Sequence, residues 1–149
     1  MTNNERVSND LDDLIYLPNG ELNSPFVLAN ANILLKENEF KLAAKLFLLM
    51  ANQRTYAFCG YFGLAKCFEK LSKPTQASES YKRAFELSRR PYIAFAYLEC
   101  LLANHHYHQA EQFALMCAVE FVKHADEGER FRRFHRDALE MQMNRDAVL

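Results

Sequence analysis

The residues whose grouping first suggests chemistry in this chain are its histidines and cysteines. His105, His106 and His108 stand almost side by side, with His124 further on, and imidazole is both a metal ligand and a base that titrates near neutral pH. A metal site needs further acidic or thiolate donors at a spacing a loop or helix can close, and none accompanies them. The cluster therefore reads as the polar residues of a solvated bend, and no metal is expected. Cys59, Cys67, Cys100 and Cys117 include no pair at zinc or redox spacing. Each sits among apolar neighbours, where a free thiol behaves as a small buried hydrophobe. Gly20, Gly60, Gly63 and Gly128 are too few and too scattered to cradle a phosphate. Neither a nucleophile elbow nor a His-Glu-x-x-His helix occurs. The expectation is a protein that is not an enzyme and takes no cofactor.

The run from Glu129 to Arg136 interleaves arginines with Phe131 and Phe134, a pattern that can stack and neutralise RNA. Helical spacing assigns it differently. Phe131, Phe134, Ala138 and Met141 fall on one face, which leaves the arginines in solvent and predicts a terminal capping helix. Eighteen Lys and Arg against nineteen Asp and Glu give a formal charge of -1, without the basic excess that phosphate-backbone binding uses. No nucleic-acid partner is expected.

Stepping up from side chains to the elements that hold them, 149 residues at 50% hydrophobic and 13% aromatic suffice for one domain with a sizeable core. No apolar run approaches the eighteen or so residues of a membrane span, and Met1 to Asp10 is polar and mildly acidic, so a cytoplasmic location with reduced thiols is expected. The dominant signal is internal repetition. Ala43, Ala77 and Ala110 are separated by 34 and 33 residues, and so are Phe47, Tyr81 and Ala114, and Leu34, Phe68 and Leu101. That period belongs to tetratricopeptide repeats, each a helix-turn-helix unit. The predicted fold is all-α, a right-handed helical solenoid of three such repeats, at about 24–57, 58–90 and 91–118, plus terminal helices.

Within a unit, helices A and B must approach closely, which small residues permit. Ala31 and Ala65 serve helix A of the first two units, and Ala43, Ala77 and Ala110 serve helix B. The third helix A carries Leu98 instead, which predicts a looser crossing. Breaks between A and B are expected over Lys36 to Glu39, Ser72 to Thr75 and Asn104 to His106, with Pro91 opening the third helix A. Residues 1–23 form an N-terminal segment in which Leu11, Leu14 and Ile15 suggest a short helix before the Pro18-Asn19-Gly20 turn, a candidate for docking or for homodimer formation. Residues 119–149 form the capping helix and tail.

Two stretches, FGLAKCFEKLSKPTQASESYKRAFEL and RRPYIAFAYLECLLANHHYHQAE, carry more than the repeat framework. Gly63-Leu64-Ala65 with Cys67, the proline at Pro91 seven residues after Ala84, and Glu99-Cys100-Leu101-Leu102 resemble the class II chaperones of bacterial type III secretion systems. Leu98, Asn30 and the brief N-terminal segment differ from that family's pattern. The resemblance implies a cytoplasmic chaperone that holds hydrophobic translocator subunits soluble before export, recognising short segments with spaced proline and leucine. Without it, the repeats suit a scaffold or adaptor that assembles or regulates a protein complex, or a docking module of an enzyme regulator.

Helix A lines the concave side of such a stack, so the repeat register assigns the groove: Leu28, Asn32 and Leu35 from the first unit, Phe62, Lys66 and Glu69 from the second, and Tyr92, Phe95, Glu99 and Leu102 from the third. An apolar face with few polar groups suits an extended peptide anchored by its side chains, with Asn32 or Lys66 bonding its main chain. Phe62 and Phe95 are the expected anchors. Only Asn32 and Lys66 fit a carboxylate clamp, so the co-chaperone type that grips acidic C-termini is disfavoured.

Overall fold

The computed structural model describes residues 14–148. Seven helices run through them: α1 Ser24–Lys36, α2 Phe40–Ala51, α3 Ala57–Lys70, α4 Pro74–Leu87, α5 Pro91–Ala103, α6 Tyr107–Glu120 and α7 Ala125–Val148. Among the described residues the sole β-type pairing is an isolated bridge between Tyr16 and Leu22, and no helix is long and apolar enough to cross a membrane. Helices α1, α4 and α5 open on or beside a proline, whose missing N–H costs nothing where no carbonyl precedes it to receive one. The chain divides into two compact units, one ending at Leu87 and the other beginning at Ser88.

The three A-to-B turns share one backbone geometry. Asn38, Ser72 and His105 have φ of 62°, 57° and 61°, at the same 34- and 33-residue intervals as the sequence repeat. At each turn the next N–H, of Glu39, Lys73 or His106, donates back to the carbonyl of Leu34, Phe68 or Leu101 at 2.8–2.9 Å. The left-handed residue itself donates to Leu35, Glu69 or Leu102 at 3.1–3.2 Å. This pair of bonds, spanning five and three residues, is the Schellman closure of a helix C-terminus. The carbonyls of Glu39, Lys73 and His106 then accept the first helical bond of the following helix from Ala43, Ala77 and Ala110. Glycine usually fills the left-handed position because a Cβ is strained there. None of these three is glycine, so the turn signal was carried by spacing and not by composition.

In the first unit the core gathers around Phe47, with Ala31, Ala43, Ala51, Leu64 and Cys67. Its packing rests on two glycines. A Cβ at Gly63 would fall inside the Phe47 ring, and one at Gly60 would meet the Ala51 backbone and, at 2.7 Å, the Phe47 carbonyl. Helices α2 and α3 therefore touch at backbone distance, with the Phe47 ring lying in the notch. A second cluster, Ile15, Leu22, Val27 and Met50, pins the N-terminal residues onto α1 and α2. Leu14 and Ile15 are helical, Ile15 inward and Leu14 exposed; Leu11, expected in the same short helix, lies outside the described residues. Gly20, with φ of 84°, closes the turn that follows.

The second unit is built differently. Leu98 is fully buried where α1 and α3 carry Ala31 and Ala65, and α5 pairs with α6 far less extensively than α1 does with α2 or α3 with α4. The looser crossing follows from side-chain volume. Helix α7 supplies what that crossing lacks, lying along α6 and against α5. Phe131 is fully buried, stacked on Phe95 at 4.3 Å and on Phe121 at 5.4 Å between centroids. Ala138 is buried as its spacing implied and Phe134 half-buried, but Met141 on the same stripe is exposed. Arg89, ahead of α5, donates two hydrogen bonds to the Glu120 carboxylate at the end of α6, at 2.6 and 2.8 Å, and the bond to Arg89 holds that carboxyl below its ordinary range.

Three substitutions test this packing and turn geometry by urea unfolding. Gly63→Ala should lower stability by about 1 to 3 kcal/mol through overpacking against Phe47, and Gly60→Ala by more, because backbone cannot swing aside. Ser72→Gly should raise it by up to about 1 kcal/mol by relieving the left-handed strain; an unchanged or lower midpoint would contradict the turn geometry.

Candidate functional site

The residues assigned to a binding face fall six in the first unit and four in the second. In the first unit α1 and α3 are neighbours. Positions one and two turns apart bring Leu28, Asn32 and Leu35 onto one face of α1, and Phe62, Lys66 and Glu69 onto one face of α3. Leu28 and Leu35 are half-buried against the Phe47 cluster, while Asn32, Lys66 and Glu69 are exposed. Phe62 is half-buried, its ring edge-to-face with Tyr81 of α4 at 5.6 Å and 64°. The Lys66 ammonium lies 4.6 Å from the Phe62 ring centre, a cation–π contact worth about 0.5 to 1 kcal/mol at an exposed site.

The α3 face is set by what lies behind it. Gly60, Gly63, Leu64 and Cys67 are buried, so the intervening Phe62, Lys66 and Glu69 must project on the other side. Leu28 and Leu35 on α1 and Phe62 on α3 are thus apolar side chains left partly exposed, with Asn32 and Lys66 exposed on the same two helices. Side chains of this kind can grip apolar groups of a peptide and bond its main chain.

In the second unit Tyr92 and Glu99 are exposed and Leu102 is half-buried. Phe95 is 6% exposed. Its ring stacks on Phe131, lies 6.0 Å from Phe134, and carries the Arg130 guanidinium 3.8 Å from its centre. Helix α7 thus occupies the surroundings of Phe95, and the side chain belongs to the interior of this unit. Register along α5 could not reveal this, because the covering residues arrive about ten helical turns later in the chain. Tyr81 and Arg130 are the two site neighbours that sequence reading missed. Tyr81 had a signal, since it repeats the position of Phe47.

The histidines have partners that spacing did not suggest. His135 Nε2 is 3.0 Å from Glu111 Oε1, and His108 Nδ1 is 3.9 Å from the other oxygen, so one carboxylate of α6 meets imidazoles from its own helix and from α7. His105 Nδ1 is 2.6 Å from the Tyr107 hydroxyl, and Arg145 donates to the His105 carbonyl at 3.2 Å. An open hollow of about 560 Å³ lies there, lined by His105, Tyr107, Met141, Asn144 and Arg145. Among the described residues no three His, Cys, Asp or Glu side chains are grouped to hold a metal ion.

Cys67 and Cys117 are buried thiols outside any disulfide. Burial pushes the Cys67 thiol up to about 11. It pushes Cys117 up to about 12, with Glu120 adding to the effect and Arg89 opposing it. Both are therefore protonated at neutral pH and poor nucleophiles. Cys67 and Cys117 should stay unmodified by a thiol reagent in the native protein and react on unfolding, which mass spectrometry of the labelled peptides would read. Because the native state holds these protons more tightly than an unfolded chain whose thiols ionise near 9.0, their contribution to stability is complete below that pH and declines as pH rises through about 11 to 12. Rapid labelling of either residue in the folded protein would contradict the packing.

No protein-family model, characterised protein or solved structure matches this chain.

Proposed function

We propose that this protein is a tetratricopeptide-repeat chaperone of the class II type III secretion kind, holding an extended apolar segment of a translocator subunit on its helix A surfaces in the bacterial cytoplasm. The reading rests on the resemblance in the second and third repeats together with one structural observation: Leu28 and Leu35 of α1 and Phe62 of α3 are apolar side chains left partly exposed, with Asn32 and Lys66 exposed on the same two helices. Leu28 and Leu35, two helical turns apart on α1, and Phe62 on α3 suit a client with apolar residues at intervals, while the amide and ammonium can bond main-chain carbonyls that an extended peptide leaves open. Apolar client segments aggregate when uncovered, which is the need such side chains answer. Phe62 is the anchor in this reading. Phe95 is a structural residue, held by α7.

Truncating each phenylalanine separates the two roles. Phe62→Ala should weaken binding of a fluorescent peptide bearing spaced proline and leucine by roughly 1 to 3 kcal/mol, as for a well-buried interface aromatic, with a smaller loss of stability. Phe95→Ala should cost about 3 to 5 kcal/mol of unfolding free energy, as for a core phenylalanine, with unchanged affinity of the folded fraction. His106→Ala, in the exposed turn, should alter neither by more than about 0.5 kcal/mol. A Phe62→Ala protein that binds the peptide as well as the parent does would defeat the proposal.

A further inference from the structure

Asn19 is followed by Gly20, and no other asparagine in the chain precedes a glycine. The backbone nitrogen that follows an asparagine can reach its side-chain carbonyl carbon and close a five-membered ring, a reaction that proximity favours over one between separate molecules. What ordinarily shields that nitrogen is the Cβ of its own residue, which glycine lacks.

The fold sets this pair in an open hairpin loop. Pro18, Asn19 and Gly20 form it, with Leu17 N–H donating to the Glu21 carbonyl at 2.7 Å and Gly20 N–H to the Leu17 carbonyl at 2.9 Å. All three loop residues are exposed, and a Cβ added to Gly20 would meet no atom within 4 Å, so there is room beside its nitrogen. The Glu21 N–H donates to Asn19 Oδ1 at 3.0 Å. This bond folds the side chain back over the Gly20 peptide. It also puts a donor on the oxygen that gathers negative charge when the carbonyl carbon is attacked. Asn23, Asn30 and Asn104 are placed otherwise. Each precedes a residue that has a Cβ, and each commits its side-chain nitrogen, the group that would have to leave, to the carbonyl of Leu14, Phe26 or Cys100.

We propose that Asn19 is a site of spontaneous deamidation, and that the modification loosens the N-terminal hairpin from the first unit. The Gly20 nitrogen gives its proton to hydroxide and its electron pair to Cγ of Asn19. Nδ2 takes a proton from water and leaves as ammonia, so that a cyclic imide remains. Water then adds to one of the two imide carbonyls and breaks that carbon's bond to nitrogen. Hydrolysis at the main-chain carbonyl gives isoaspartate, whose backbone runs through Cβ and Cγ and is longer by one atom; hydrolysis at Cγ gives aspartate. The loop sets Tyr16 opposite Leu22 and brings Asn23 N–H to the Ile15 carbonyl at 2.7 Å. That pairing holds Ile15 and Leu22 together against Val27 of α1 and Met50 of α2. An added backbone atom puts the two sides of the hairpin out of step and weakens this cluster.

The test keeps the full chain folded at mildly alkaline pH beside Asn19→Gln, whose longer side chain would have to close a six-membered ring, and reads proteolytic peptides by mass spectrometry. Asn19 should turn from amide to acid at least about tenfold faster than Asn23, Asn30 or Asn104, a barrier lower by about 1.4 kcal/mol, with isoaspartate among the products. Separated by ion exchange, the isoaspartate form should unfold at lower urea than the fresh protein, while aged Asn19→Gln keeps its own midpoint. Fresh Asn19→Asp, which carries the charge without the extra backbone atom, should unfold close to the parent. An Asn19 amide that persists as long as the other three, a product without isoaspartate, or an isoaspartate form as stable as the fresh protein would overturn the proposal. So would an Asn19→Asp protein weakened as much as the isoaspartate form, since charge and not backbone length would then be the cause.

Discussion

The close approach of α2 to α3 is the contact on which the first unit depends. Two helices bearing ordinary side chains pack with axes 8 to 10 Å apart, but here the side chain of Phe47 occupies space that any Cβ on Gly63 would need, and the Ala51 backbone occupies the same space at Gly60. With that face of α3 committed to α2, helical geometry commits the rest. Leu64 and Cys67 turn inward with the glycines, and Phe62, Lys66 and Glu69 are carried to the opposite side. The α3 part of the candidate peptide surface is thus a consequence of two missing methyl groups on the far side of the same helix.

The second unit answers the same requirement by other means. Leu98 takes the place of an alanine and is wholly buried, which moves α5 off α6 and opens space that aromatic rings fill. Phe95, Phe121, Phe131 and Phe134 stack there, three helices contributing to one cluster. One larger residue at a crossing therefore accounts both for the dependence of this unit on α7 and for the withdrawal of Phe95 from the exposed face of α5. Aromatic stacking adds about 0.5 to 1.5 kcal/mol per pair beyond burial, so a unit assembled this way can be firm despite its loose α5–α6 pairing.

What was legible in the sequence was whatever recurs. The 34- and 33-residue intervals located the helix pairs and their turns because each turn solves one geometric problem, the closure of a helix end, and the solution repeats at Asn38, Ser72 and His105. The left-handed conformation itself was invisible, since asparagine, serine and histidine stand where glycine would have announced it. Long-range pairings were also hidden. Nothing in the spacing of α5 indicates that Phe95 meets Phe131, and nothing near His108 indicates that Glu111 will be shared with His135 from α7. Met141 illustrates the limit of periodicity: it keeps the helical phase of Phe131 and Ala138 but is exposed.

The arginine-rich start of α7 is helical, and winding separates its aromatic residues from its basic ones. Wound into a helix, Phe131 points into the core, and Arg130 lays its guanidinium on Phe95. Arg132, Arg133 and Arg136 lie within 4 Å of Glu129, which holds the Glu129 carboxyl below its ordinary range, the hydrogen bond from Arg132 having the largest effect. Exposed ion pairs of this kind add little stability. Their effect is on the surface field, because one carboxylate shared among three guanidiniums dilutes what the sequence displays as a basic stripe, and it does so on the helix whose other face holds the second unit together.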